Sequence, residues 1–100
     1  IVLPYLQNYI QIMFQIIYGV NFLKSVEKLP KKTQIKLANL LCILRSKPFD
    51  NRLHTKNLSG QLLGLLSFRI TRDWRVIFQF SGVETINLLR VANRKDIYKK

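Results

Sequence analysis

Apolar positions along this chain change period several times, and each change marks an element. Phe14, Ile16, Ile17, Tyr18 and Val20 form a run of β-formers that stops at Asn21, a residue suited to capping a helix; this predicts a first strand over 14–20. From Asn21 to Lys28 the apolar residues Phe22, Leu23 and Val26 fall at helical spacing, and the stretch closes at Leu29-Pro30, which predicts a short first helix. Pro30 suits the first turn of a second helix running to about Ser46, with Ile35, Ala38, Leu41, Cys42 and Arg45 on one side and Lys31, Lys32 and Lys36 towards solvent. Lys47-Pro48-Phe49-Asp50 ends it.

After a polar, turn-rich stretch over 51–64, alternation takes over and predicts strands over 65–70, 74–80 and 85–92. Thr71-Arg72-Asp73 and Ser81 to Glu84 separate them and are short enough for antiparallel hairpins. The expected architecture is α+β: two N-terminal helices packed on a mainly antiparallel four-stranded sheet, in the order β-α-α-β-β-β. One hundred residues suffice for a single core, so one domain is expected over 13–100. Residues 1–12 precede Met13, the only methionine, and are read as upstream or vector-derived sequence; an extra helix packing through Leu3, Leu6 and Ile10 is the alternative. The uncharged run from Ile1 to Leu23 is broken by Pro4, Gln7, Asn8, Gln11 and Gln15 and lacks a basic start, which fits neither a signal peptide nor a membrane span.

Alternation also assigns faces. If Leu66, Phe68 and Ile70 point into the core, Ser67 and Arg69 point away; likewise Trp74, Val76, Phe78 and Phe80 go inward while Arg75, Ile77 and Gln79 go outward. A three-residue hairpin loop over Thr71 to Asp73 then sets Ile70 opposite Trp74 and Arg69 opposite Arg75. Like charges placed directly across strands oppose folding by about a few tenths of a kcal/mol or more. An oligoanion held between the two guanidinium groups would offset that, since each can donate two parallel hydrogen bonds to phosphate. A four-residue loop after Phe80 would place Arg90 beside Arg75 and extend the row. The alternative is a solvated outer face whose arginine stems merely cover apolar surface.

Charge narrows the partner class. The chain carries 17 Lys and Arg against 5 Asp and Glu, a net charge of +12, all of it from Lys24 onward, yet 48% of residues are hydrophobic, so it folds rather than staying disordered. Such a surface attracts polyanions by neutralising phosphates and releasing counterions, which makes nucleic acid, the ribosome or an acidic protein the expected partner and an anionic membrane the competing one. Cys42 and His54 are the only cysteine and histidine, so one chain can assemble neither a disulfide nor a Cys/His zinc site, and a reducing cytoplasm fits. Cys42 is expected to pack in the core.

Past the last strand, Arg90-Val-Ala-Asn-Arg94-Lys-Asp-Ile-Tyr98 adds arginines and one aromatic hydroxyl to the basic rim. Such a set can stack and bind a nucleotide. It can also cleave RNA: a base takes the proton of a 2′-hydroxyl, arginines stabilise charge developing on phosphorus, and an acid protonates the leaving oxygen.

With Phe22-Leu-Lys-Ser-Val-Glu-Lys-Leu-Pro30, Leu58-Ser-Gly60, Phe68-Arg-Ile-Thr-Arg-Asp-Trp-Arg-Val-Ile-Phe78 and Leu89-Arg-Val-Ala-Asn-Arg-Lys-Asp-Ile-Tyr98 in this order, the chain resembles the RelE/ParE superfamily of toxins from bacterial toxin–antitoxin modules. The resemblance runs from about Phe14 to Tyr98 and implies the element order above (RelE-like). It also implies an endoribonuclease needing no metal or other cofactor, acting on mRNA at the ribosome, and an acidic cognate antitoxin that wraps the toxin in a hetero-oligomer. By motif position it makes Arg75, Arg94 and Tyr98 the catalytic set, Arg75 stabilising the phosphate and Tyr98 serving as general base or acid. Arg69, Arg72, Arg90, Lys95, Lys56 and His54 are the accompanying RNA contacts. Where many relatives carry histidine this chain has Asn93, which takes up no proton near neutral pH, so proton transfer falls to Tyr98, His54 or a neighbouring basic residue. A tyrosine serving as base needs its pKa lowered, which Arg75 and Arg94 nearby would do. ParE-like members that inhibit DNA gyrase, or a degenerate basic nucleic-acid-binding domain, are the alternatives.

Overall fold

The computed structural model describes residues 13–98. In chain order its elements are β1 (Gln15–Tyr18), α1 (Val20–Glu27), α2 (Lys31–Ser46), β2 (Lys56–Asn57), β3 (Leu66–Arg69), β4 (Trp74–Ser81) and β5 (Thr85–Asn93), with single 3-10 turns at Asn51–Leu53 and Gly60–Leu62. The fold is α+β, both helices packing on one five-stranded sheet of order β1-β5-β4-β3-β2. Two features correct the expected four-stranded, mainly antiparallel sheet. β2 is an additional edge strand, antiparallel to β3 through Lys56 opposite Ser67 and Asn57 opposite Leu66, and two residues are too few for alternation to register. β1 runs parallel to β5, from Gln15 opposite Thr85 to Tyr18 opposite Leu88, so the sheet is mixed. The readings offered for residues 1–12 lie outside the described residues. Among the described residues no helix is long and apolar enough to cross a membrane.

The passage from β1 into α1 is tight. Gly19, not Asn21, is the N-cap: its N–H still donates to the Leu88 carbonyl at 3.0 Å, while its own carbonyl already accepts from Leu23 N–H. A Cβ at this position would lie 2.6 Å from the Leu88 carbonyl oxygen, closer than real Cβ contacts allow, so Gly19→Ala must push β5 and α1 apart. We expect it to cost about 1–3 kcal/mol, as overpacking does, measured as a lowered urea midpoint at unchanged slope.

Helix α1 is anchored at its middle and at its end. Phe22 is buried, and Ser25 donates to the Phe22 carbonyl while accepting from Val91 N–H at 2.9 Å, on a stretch of β5 beyond the last residue that β1 pairs. Gln34 on α2 donates to the carbonyls of Val26 and Leu29, supplying partners to acceptors that the end of α1 leaves open. Helix α2 buries Leu37, Leu40 and Leu44, spaced three and four apart. That corrects the expected inward side: Ile35, Ala38, Cys42 and Arg45 are exposed, and Leu41 is only half-buried. Cys42 is therefore not a core residue. Both faces of α2 are apolar enough to fit the sheet, and Leu37, Leu40 and Leu44 have the larger side chains for it.

The main core lies between helices and sheet, joining Leu37, Leu40 and Leu44 to Phe68, Val76, Phe78, Ile86 and Leu88, with Trp74 and Phe80 packed against it as alternation predicts. Leu53 and Leu58 pin the irregular 51–64 stretch, both buried, and Asp50 accepts from Arg52 N–H and pairs with its guanidinium at 2.9 Å. That pairing holds the Asp50 carboxyl at about 2. A second, smaller core sits on the opposite side of the sheet, where Ile77 and Ala92 meet Leu58 and Ile97. Ile77 points away from the helices as predicted but is only 1% exposed, because the loop after β2 and the chain past β5 return to cover it.

Candidate functional site

The basic cluster occupies the sheet face turned away from the helices, beside this second core. β3 and β4 pair with Arg69 opposite Arg75, as the three-residue loop required, and Ile70 N–H donates to the Trp74 carbonyl. Both arginines are half-buried, and among the described residues neither joins an ion pair. Nε of Arg69 is buried with no hydrogen-bond partner, and so is Oγ of Ser67 two residues earlier on the same face. Burial lowers the Arg75 pKa, and the charges of Arg69 and then Arg94 lower it further, with Asp73 acting the other way. A guanidinium stays protonated at any ordinary pH, so this marks electrostatic stress rather than neutralisation. Two unpaired cations held together in a partly dehydrated place have the charge and the free donors that an anion requires.

Arg94 reaches the cluster from the other side of β4. Its N–H donates to the Asp73 carbonyl at 2.8 Å and its Nε lies 3.8 Å from the Asp73 carboxylate, so the β3–β4 hairpin loop and the chain past β5 hold each other. Asp73 thereby sets the place of Arg94, a role that sequence reasoning missed because it depends on a contact 21 residues away. Arg72, in the same loop, is exposed, as is Lys95.

Arg90 does not sit beside Arg75. The loop has three residues rather than the expected four, because Ser81 still pairs with Thr85, and a β-bulge between Ile77 and Phe78 shifts the ladder once more, so that Ile77 faces Arg90 and Arg75 faces Ala92. The Arg90 guanidinium donates to the Ile97 carbonyl at 2.9 Å, tying down the tail that carries Tyr98. Asn93, the departure from the resembled motif, has a local use: its side-chain oxygen accepts from Lys95 N–H and its carbonyl from Asp96 N–H, which turns the chain back over the sheet.

The turn brings Ile97 into the second core and Tyr98 to the loop after β2. Tyr98 is 52% exposed, and its hydroxyl accepts from Ser59 N–H at 3.3 Å. The hydrogen bonds from Ser59 lower the phenol pKa, and the charge of Lys56 adds to this. The expected influence of Arg75 and Arg94 on the phenol is replaced by these groups. Lys56 is exposed on β2. His54 is exposed just ahead of it in a left-handed conformation, φ 50°. The structure thus joins Arg69, Arg75 and Arg94 electrostatically and Tyr98 with Lys56 and Ser59, while His54, Arg72 and Lys95 remain at the rim. Among the described residues no three His, Cys, Asp or Glu side chains form a metal-binding group.

No family model and no curated protein sequence matches this chain. Its fold has close counterparts among solved structures, and these define it as the fold of RelE/ParE-type toxins. A chain of the RelBE2 toxin–antitoxin complex from Mycobacterium tuberculosis superposes with a TM-score of 0.69 at 21% identity, covering 82% of this chain and 99% of its own. The YoeB/ParE toxin from Agrobacterium tumefaciens gives 0.70 at 18% identity, over 81% and 99%. A chain of the archaeal RelE–RelB complex from Pyrococcus horikoshii gives 0.69 at 22% identity, over 82% and 96%.

Proposed function

We propose that this protein is the toxin of a toxin–antitoxin module and a RelE-like endoribonuclease that cuts mRNA on the ribosome. The observation that carries the reading is the opposed pair Arg69 and Arg75, half-buried, unpaired and pressed by Arg94. A scissile phosphate between these guanidinium groups would receive directed hydrogen bonds as negative charge builds on its oxygens, and would relieve the repulsion among the three cations. Tyr98 is the proton-transfer group: its lowered pKa brings the phenolate nearer to neutral pH, where it can take the 2′-hydroxyl proton. Lys56 and His54 at one rim and Arg72 and Lys95 at the other contact the flanking RNA backbone.

The partner is a cognate antitoxin, as in the solved RelBE2 and RelE–RelB complexes that share the fold, and an acidic one because this chain carries a net charge of +12. An apolar groove of about 210 Å³ between β1 and α2, lined by Ile16, Tyr18, Ala38, Leu41, Cys42 and Arg45, suits an amphipathic acidic segment. A second reading, a ParE-like gyrase inhibitor or a basic domain that keeps the fold alone, draws on Asn93, whose side chain is spent on a turn where a proton-transferring ring would stand.

Purified protein should cut ribosome-bound mRNA with no metal beyond that which the ribosomes carry. Tyr98→Phe should slow the single-turnover cut by about 10²-fold, the usual loss with a general acid or base. Wild-type protein that cuts no RNA, on or off ribosomes, but traps gyrase cleavage complexes would establish the second reading instead.

A further inference from the structure

We infer that Ser59 is a positioning residue for Tyr98, its main-chain N–H and hydroxyl holding the phenolic oxygen at the loop after β2. The inference rests on the nuclease reading for what the tyrosine does, and on geometry alone for what holds it. Ser59 N–H donates to the Tyr98 oxygen at 3.3 Å, and the two hydroxyls lie 3.5 Å apart, where either can donate. These contacts join residues 39 positions apart in the chain.

The Ser59 peptide is itself fixed on both sides. Leu58 N–H donates to the Leu65 carbonyl at 2.9 Å, and Leu62 N–H to the Ser59 carbonyl at 3.1 Å. Gly60, at φ 61°, turns the chain directly after Ser59 into the 3-10 turn, a conformation that side chains disfavour. On the tyrosine's side, Ile97 is buried in the second core and its carbonyl is bound by Arg90. The phenol oxygen is therefore clamped between two anchored segments although its ring is half exposed.

The chemistry follows from the direction of these bonds. An N–H donor aimed at a phenolic oxygen stabilises the phenolate over the phenol, as does a hydroxyl that rotates to donate. The charged group whose field reaches the phenol is Lys56, on β2 across from the tail; Lys95 and Asp96 belong to the tyrosine's own segment, and Arg90 is committed to the Ile97 carbonyl. When the phenolate accepts the 2′-hydroxyl proton it becomes the neutral phenol, and the Ser59 hydroxyl can then turn from donor to acceptor. One rotor so serves both protonation states without moving the ring.

The test uses the full chain with 13C-labelled tyrosine, the Tyr98 resonance being assigned by its loss in Tyr98→Phe. In Ser59→Ala, which keeps the N–H and removes the hydroxyl, the Tyr98 titration midpoint should move upward. Cleavage of ribosome-bound mRNA near neutral pH should fall roughly 2- to 10-fold, the worth of one hydrogen bond, with KM unchanged. Ser59→Thr should restore both. If wild type cuts RNA but Ser59→Ala alters neither titration nor rate, the inference falls and the nuclease reading stands. If wild type cuts nothing yet the titration moves in Ser59→Ala and returns in Ser59→Thr, the nuclease reading falls and the hold of Ser59 on Tyr98 stands.

Discussion

Arg75→Ala is expected to slow cleavage of ribosome-bound mRNA by about 10²–10³-fold, the loss typical of removing one preorganised donor to a developing oxyanion. The same change should leave urea stability within about 0.5 kcal/mol of wild type, as surface substitutions usually do. The two expectations follow from one arrangement. Arg75 faces Arg69 across the ladder with no acidic partner, and its charge is disfavoured by burial and by both neighbouring arginines. Removing it relieves repulsion while forfeiting the packing of its stem, contributions of opposite sign and similar size. Arg75→Lys should recover little of the rate, because a point charge cannot replace a planar fork on a phosphate. Single-turnover rates and urea curves on the same three proteins decide the matter. An alanine variant that cuts as fast as wild type, or that unfolds several kcal/mol earlier, would move Arg75 from the site to the scaffold.

Phe68→Ala is expected to destabilise the fold by about 3–5 kcal/mol. Phe68 is fully buried on the helix-facing side of β3, within the main core, its ring 5.9 Å from that of Phe78 in a tilted arrangement. Domains of this size are stable by only about 5–15 kcal/mol, so the variant should be partly unfolded or recovered poorly at growth temperature. Phe49→Ala is the control: its ring stacks on Phe80 but is 61% exposed, and the substitution should shift the urea midpoint far less. A small effect at Phe68, equal to that at Phe49, would mean that the packing of the sheet under α2 is misassigned.

The Arg69–Arg75 pairing was legible because it needs only two local rules, period-two alternation and a loop of three residues. The inward set on β4 was legible for the same reason, and the end of α2 at Ser46 from the Lys47-Pro48 break, whereas the N-cap of α1 was read two residues late, at Asn21 instead of Gly19. Arg90 was misplaced twice over: Ser81 pairs with Thr85, which shortens the loop from four residues to three and moves the register by one, and the bulge, which leaves no mark in composition, moves it by one more. Ile77 was assigned the correct face and the wrong environment, since alternation gives direction but not what returns to cover it. Cys42 and Ile35 were misread because α2 is apolar on more than one side, so periodicity could not choose which stripe the sheet would take. Ser59 stood within a motif that had been singled out, but its contact with Tyr98 is set by tertiary packing of the second core.

The parallel pairing of β1 with β5 bears on when the sheet is completed. Among the described residues β1 has β5 as its only strand neighbour, with 70 positions separating Gln15 from Thr85, and the β3–β4 hairpin that carries Arg69 and Arg75 closes against the same strand. Contacts so distant in sequence form late, since a long loop must close before they stabilise anything. During translation the first strand waits, unpaired at its β5 side, until residues 85–93 have been made. On the proposed nuclease reading, the sheet that presents Arg69 and Arg75 is complete only once residues 85–93 have been made.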